Sequence, residues 1–309
     1  SGGAGSEAGI VHACQCRIVD DVVIEKKQPS GARTVEGVLS SLRPLSPEVI
    51  EVGIRTQRAL PYHAGQYVQM RFNGYPSRPF SITHPLHGDA SGASIWFHVR
   101  RMSNGLVTSS LGKRIKPGHR VTLSGPYGSA HFRPNLNGRL LLVATNTGFA
   151  PIWSIAVAAL RENPARMMMI IAGGRALGSL YMAPALVRLA SFPNVHVVPV
   201  CSTLEAPISA VQPGRPTDYL PRLLPSDVIY ACGGPEMVGS VKGIAAAAGV
   251  TCHADPFLPT TDGASAQSGL SRTFGWLALN RFRTPRELPM EAASLADARV
   301  RSHYRPQSA

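Results

Sequence analysis

Leu140-Leu141-Leu142-Val143-Ala144-Thr145-Asn146-Thr147-Gly148-Phe149-Ala150-Pro151 decides how this chain folds. Leu140–Ala144 is an unbroken apolar run of strand length, the pattern of a strand buried on both faces. Small and polar residues then turn the chain, and Pro151 suits the first turn of a helix. Ile152–Arg161 reads as that helix. Downstream the grammar repeats. Arg166–Ala172, Val195–Val200 and Asp227–Ala231 are strand-like. Ser179–Ala190 and Pro235–Ala248 are helix-like, the latter ended by Gly249. Strand and helix in alternation predict an α/β domain, a doubly wound parallel sheet with helices on both faces. Upstream, short β-like runs alternate with Gly and Pro turns: Val49–Ile54, Tyr67–Phe72, Ser94–Arg101 and Arg120–Leu123. That spacing predicts an antiparallel β-barrel or sandwich.

The 309 residues suffice for two cores. The expected organisation is a leader at 1–30, a barrel at 31–134, the α/β domain at 135–259 and a basic, disordered extension at 260–309. No long uncharged apolar stretch predicts a membrane span. Ser1–Gly9 lacks the basic flank and apolar core of a signal peptide. Five scattered cysteines show no disulfide rhythm, which fits a reducing cytoplasm. The net charge is +13. The arginines form no dense run and no aromatic platform interleaves them, which argues against nucleic-acid binding. Attraction to an acidic protein partner and a plain arginine bias remain as readings.

Several short motifs carry chemistry. Arg78-Pro79-Phe80-Ser81 places a phosphate-binding fork, a flat aromatic face and a hydroxyl together. Alone, it reads equally as a surface Arg, a core Phe and an ordinary Ser. Asn104–Leu111 looks like a turn feeding a helix start, with Thr108 and Ser109 beside free N–H groups suited to phosphate. A plain capped helix fits the same residues. In Gly125-Pro126-Tyr127-Gly128, the aromatic could stack on an adenine or simply close a turn. The Thr147-Gly148-Phe149-Ala150-Pro151 segment lies where doubly wound sheets bind dinucleotides, although it lacks the G-x-G-x-x-G pattern. Cys232-Gly233-Gly234-Pro235-Glu236-Met237 follows the last predicted strand and leaves room for a flat ligand. A lone Cys is more often a small buried hydrophobe. Asp255-Pro256-Phe257 sets an aromatic near the end of this half.

Taken in this order, these motifs resemble the ferredoxin–NADP reductase superfamily, most closely the FAD/NAD(P)H reductase components of bacterial oxygenases. The resemblance spans roughly residues 35–259. It implies an oxidoreductase, a flavoprotein that moves a hydride from NAD(P)H onto FAD and passes electrons singly to an iron–sulfur or oxygenase partner. It implies that Arg78 binds a flavin phosphate, Phe80 lies against the ring system and Ser81 sits at its N5 edge. His98 and Arg100 would lie near the flavin. Gly105, Val107 and Thr108 would hold the pyrophosphate. Thr147, Gly148 and Pro151 would line the nicotinamide-nucleotide site, and Arg175 would approach the ribose. Cys232, Gly233, Pro235 and Met237 would flank the nicotinamide, and Phe257 would cover the flavin. Ser81, Cys232 and Phe257 would serve catalysis as orienting groups. FAD and NADH or NADPH are the cofactors implied, with a lean toward NADH. Asn146 departs from the glycine usual there, and Asn is the non-Gly residue that best tolerates positive φ.

Val11–Ile18, with Cys14 and Cys16, looks like the tail of a plant-type [2Fe–2S] ferredoxin domain, with chance cysteines as the plain alternative. A cluster needs four thiolates, and nothing upstream of Cys14 supplies the other three. No [2Fe–2S] cluster or other metal is therefore expected in this chain. The competing functional reading is a non-catalytic or degenerate flavin-binding or interaction module.

Overall fold

The structure, a computed structural model, describes residues 32–86, 94–134 and 138–258. The expectations for the leader with Cys14 and Cys16, and for residues 260–309, lie outside the described residues.

Six strands build the first half: β1 (Arg33–Pro44), β2 (Val49–Thr56), β3 (Tyr67–Phe72), β4 (Arg78–Ser81), β5 (Ser94–Arg100) and β6 (Arg120–Tyr127). They form one antiparallel sheet in the order β4-β3-β6-β1-β2-β5. A bridge between Thr83 and Trp96 ties the chain just past β4 to β5 and nearly closes the barrel. Alternation sets the faces. In β3, Val68, Met70 and Phe72 are buried while Gln69 and Arg71 are not. Val52, Ile54, Phe97 and Leu123 join them in a single core. The sequence reading did not single out β1. Its serines dilute the apolar alternation, and a register shift between Leu39 and Ser41 breaks its period.

The second half contains β7 (Leu140–Thr145), α1 (Phe149–Glu162), β8 (Met168–Gly174), α2 (Ala183–Ala190), β9 (Val195–Cys201), β10 (Gln212–Pro213), β11 (Val228–Gly233), α3 (Pro235–Ala247) and β12 (Thr251–Pro256). Its sheet is parallel throughout, in the order β10-β9-β8-β7-β11-β12. The Leu140–Ala144 run explains the layers. Leu140, Leu142 and Ala144 face a core shared with residues of α1 and α2. Leu141 and Val143 face Val241 and Ala245 of α3 on the other side. The strand order reverses at β7, between β8 and β11. A doubly wound sheet opens its ligand crevice at the carboxyl ends of such a pair.

Three local expectations are corrected. Asn104–Leu111 opens no α-helix, only a 3-10 turn at Thr108–Ser110. The strand expected from Arg166 begins at Met168, because Arg166 still closes the turn onto Asn163 O. The helix expected from Ser179 begins at Ala183 with Pro184 in its first turn, after a separate 3-10 turn at Leu177–Ser179. The reading also lacked β12. Thr-Cys-His-Ala-Asp-Pro has no apolar run, and an edge strand with one neighbour needs none.

The halves share packing. Val49 and Leu86 of the barrel half enter the core beneath α1 and α2. A buried hydrogen bond from Thr83 Oγ1 to Ala150 O, 2.8 Å long, crosses the same junction.

Candidate active site

The barrel contributes its β4 edge. Arg78 is half-buried and donates to Ser77 O at 2.9 Å. Phe80 is paired with Val68 and packs against the barrel core. Ser81 is paired with Tyr67 and so lies on the opposite side of the strand. A ligand reaches both Phe80 and Ser81 only by lying along the strand edge. Ser81 is 9% exposed, and among the described residues its hydroxyl has no hydrogen-bond partner. Tyr67 and Tyr127 stand beside it, their ring centroids 5.7 Å apart. Immediately after the motif the chain reaches Ile82 and Thr83, and Thr83 binds Ala150 of α1. The Arg-x-Phe-Ser segment thus sits against the loop that opens the α/β half.

Two loops supply the other wall. Asn146 has φ 50°, so the asparagine does adopt the left-handed conformation that its position requires. Gly148, next in the turn, has ordinary φ but no spare volume. A Cβ there would lie 2.2 Å from Cys232 O. Gly233 has φ 134°, and a Cβ on it would meet Thr145 Oγ1 at 2.3 Å. Gly234 N–H donates to Thr145 Oγ1 at 3.0 Å. The loops after β7 and β11 therefore pack backbone on backbone. The direction a Gly148 side chain would take is filled by the Cys232–Gly233 backbone. Phe257 N–H donates to Gly233 O at 2.7 Å, which fixes the half-buried aromatic beside these loops.

The electrostatics of this corner favour uncharged groups. Cys232 is fully buried within the α1 and α2 core. Burial holds its thiol well above the ordinary range, and the neighbouring Asp255 carboxylate adds to the effect. It is a neutral wall group with no surface of its own. Asp255 is the register partner of Cys232, and burial raises its carboxyl above the usual carboxylate range. Asp255 also helps burial to push up the Tyr67 phenol, which places the carboxylate near that ring. The sequence reading named Asp255 only as a neighbour of Phe257. Its proton affinity comes from where β12 sits, and β12 was not read.

Other predicted positions are placed as follows. Val107 is in the barrel core, so only its backbone faces outward. Thr108 Oγ1 accepts from Met102 N–H at 3.1 Å. No side chain caps the N-terminus of the Thr108–Ser110 turn, and Gly105 is half-buried before it. Thr147 is half-buried and Pro151 is buried in α1. Arg175 is exposed past β8, with its carbonyl accepting from the Cys201 thiol. Pro235 is exposed at the start of α3, and Met237 packs beneath it. Arg100 is exposed and paired with Glu48 at 2.8 Å. His98 is redirected. Its imidazole is wholly enclosed and faces Tyr181 and Glu51 rather than an open cleft.

Two family models match the chain: an oxidoreductase FAD-binding domain over residues 38–132 and an oxidoreductase NAD-binding domain over residues 142–243. The chain is 30% identical over 266 residues to the ferredoxin–NAD(P)+ reductase component of the naphthalene 1,2-dioxygenase/salicylate 5-hydroxylase systems of a Ralstonia species. That match covers 81% of this chain and 78% of the relative. The corresponding component of the Pseudomonas putida naphthalene 1,2-dioxygenase system is 26% identical over similar shares, 81% and 78%. Among solved structures, the Amycolatopsis cytochrome P450 reductase is 27% identical with TM-score 0.66, covering 74% of this chain and 71% of that one.

Proposed function

Because the chain belongs to the FAD- and NAD-binding oxidoreductases that include the ferredoxin–NAD(P)+ reductase components of oxygenases, we propose that it takes a hydride from NAD(P)H onto FAD and passes the electrons singly to an iron–sulfur or oxygenase partner. One observation carries the assignment of the site: Ser81 and the Thr147–Pro151 segment, distant in sequence, are joined at the domain junction through the Thr83–Ala150 hydrogen bond. The residues present fit a flavin there. The Ser81 hydroxyl has no protein partner among the described residues and keeps surface for a ligand, and the turn at Thr108–Ser110 lacks a side-chain cap.

FAD, when bound, supplies the two-electron acceptor that also releases electrons one at a time. The chain's residues bind and orient. Arg78 directs its guanidinium to a phosphate, and Val107 and Thr108 offer backbone N–H groups to the pyrophosphate, while Gly105, whose N–H is held by Met102 O, leaves room for its approach. Phe80 offers its face, and the Ser81 hydroxyl donates to the acceptor's edge. Thr147, Gly148 and Pro151 shape the nicotinamide side, with Cys232, Gly233, Pro235 and Met237 across from them. The buried Cys232 thiol acts as wall and spacer. Asp255, whose carboxyl is raised by burial above its ordinary value, lies beside the Cys232 thiol on the neighbouring strand. Phe257 covers the site and moves aside for the nicotinamide.

The finer reading is NADH as donor, with Arg175 near its adenosine ribose, and an acidic partner drawn by the net charge of +13. The domains divide at 31–134 and 135–259. A cytoplasmic site fits the free thiols Cys201, Cys232 and Cys252 among the described residues. Among those residues no helix is long and apolar enough to cross a membrane.

The test is a visible spectrum of the purified chain, followed by anaerobic addition of NADH or NADPH. Flavin bands that bleach establish cofactor and hydride transfer together, with NADH expected to bleach faster. A protein that takes up no flavin on reconstitution overturns the reading.

A further inference from the structure

Glu51 presents an unusual cost. It lies on β2 and is fully buried, and its ion-pair partner Arg43 reaches it only from the surface. Arg43 Nη1 stays 3.8 Å away and half of the Arg43 side chain is exposed. Burying a carboxylate this way is expensive unless its neighbours compensate. Two arms leave Glu51, and both end on the same segment of the α/β half. In the first, Glu51 Oε1 lies 3.7 Å from His98 Nε2, and His98 Nδ1 is 3.2 Å from the Tyr181 hydroxyl. In the second, Glu51 Oε1 accepts from Leu86 N–H at 2.7 Å, while Arg188 of α2 donates to Leu86 O at 3.2 Å. Arg188 also sits 5.9 Å over the Trp153 ring of α1.

The directions of the bonds follow from burial. The His98 ring is wholly enclosed, and burial lowers its proton affinity despite the carboxylate beside it. The Leu86 N–H and His98 keep Glu51 ionised, below its ordinary value, against the cost of its own burial. His98 Nε2 makes no hydrogen bond at 3.7 Å from Glu51, but a neutral imidazole with its proton on that side, toward the carboxylate, leaves Nδ1 as an acceptor, so Tyr181 donates. Tyr181 is buried and meets Phe149 edge-on, with ring centroids 6.4 Å apart. Phe149 begins α1 directly after the Asn146–Gly148 turn. The contacts thus run from the barrel to Phe149, immediately after the nucleotide loop.

We propose that Glu51, His98 and Tyr181 form an interdomain clamp that positions the Asn146–Gly148 loop against the flavin barrel, so that Glu51 and Tyr181 are positioning residues for hydride transfer. This inference rests on the flavin-reductase reading given above. Hydride transfer depends steeply on approach and orientation, and a displacement of about 1 Å costs roughly a hundredfold. A hinge between two domains is where such a displacement arises.

Tyr181→Phe removes one hydroxyl and keeps the ring that packs on Phe149. In the full chain loaded with FAD, its limiting rate of anaerobic bleaching by NADH should fall about tenfold, while KM and flavin affinity stay nearly unchanged. His98→Gln should do the same, and the double variant should be no slower than either single one, because both remove the same His98–Tyr181 hydrogen bond. Amide hydrogen exchange provides a readout on the protein without cofactor. Tyr181→Phe should speed exchange in residues 146–150 and leave β12 unchanged. A merely structural bond predicts a lower melting temperature with an unaltered limiting rate and no change at 146–150, and that result overturns the clamp. Altered exchange at 146–150 in a protein that NADH does not bleach overturns the reductase reading while keeping the clamp.

Discussion

Ser81 is largely covered by its neighbours, and among the described residues its hydroxyl has no protein partner and keeps a little surface, so it is free to hydrogen-bond a ligand. Ser81→Ala should therefore leave the fold and flavin uptake intact and slow single-turnover bleaching by about tenfold to a hundredfold. A bleaching rate equal to that of the unaltered chain removes Ser81 from the chemistry. At this scale the sequence was informative wherever a role is carried by residues adjacent in the chain. Arg78, Phe80 and Ser81 stand on one short strand, and their types alone announce phosphate, aromatic and hydroxyl chemistry. His98 shows the opposite case. Its enclosure depends on Tyr181, 83 positions away, and on Glu51 of a neighbouring strand, and no local pattern reports such a pairing.

The loops after β7 and β11 are elements whose meaning lies in their mutual fit. Gly148 faces the carbonyl of Cys232 so closely that a Cβ would lie 2.2 Å from that oxygen. Backbone atoms on both sides leave no flexible side chain to yield. Gly148→Ala should cost roughly 1–3 kcal/mol in urea unfolding and weaken NAD(P)H binding as the loops separate. A variant with both the unfolding midpoint and nucleotide KM unchanged would show that the loops can part freely. The strand of this pair was legible because Leu140–Ala144 is apolar on both faces, as the centre of a parallel sheet demands. The turn at Thr108–Ser110 was misread as a helix start because capping residues look alike before a helix and before a single turn. Strand β12 escaped because its pairing with β11, not its composition, makes it a strand.

Over the whole molecule, acid acts through the junction between the halves. His84 lies between Thr83, bound to Ala150, and Leu86, bound to Glu51 and Arg188. Burial, aided by the charge of Arg161, lowers its value from 6.5 to about 4. A histidine depressed in the folded state binds its proton more readily when unfolded. Between pH 6.5 and 4 the unfolded chain takes up more protons, so stability falls as pH falls through that window. The sign is opposite for Asp255, whose raised carboxyl is relieved by protonation and gains stability in acid. The window available to His84 corresponds to about 2 kcal/mol between pH 7.5 and 5. The net charge of +13 also destabilises the chain in acid by self-repulsion, so the wild type alone does not isolate the effect. His84→Asn keeps the size and polarity of the site and removes the titration. Urea unfolding of both chains at pH 7.5 and pH 5 should show a smaller loss in the variant, by about 2 kcal/mol. Equal losses would mean that His84 meets water in the folded state as freely as in the unfolded one, and that the junction is open where the packing of Leu86 and Thr83 holds it closed.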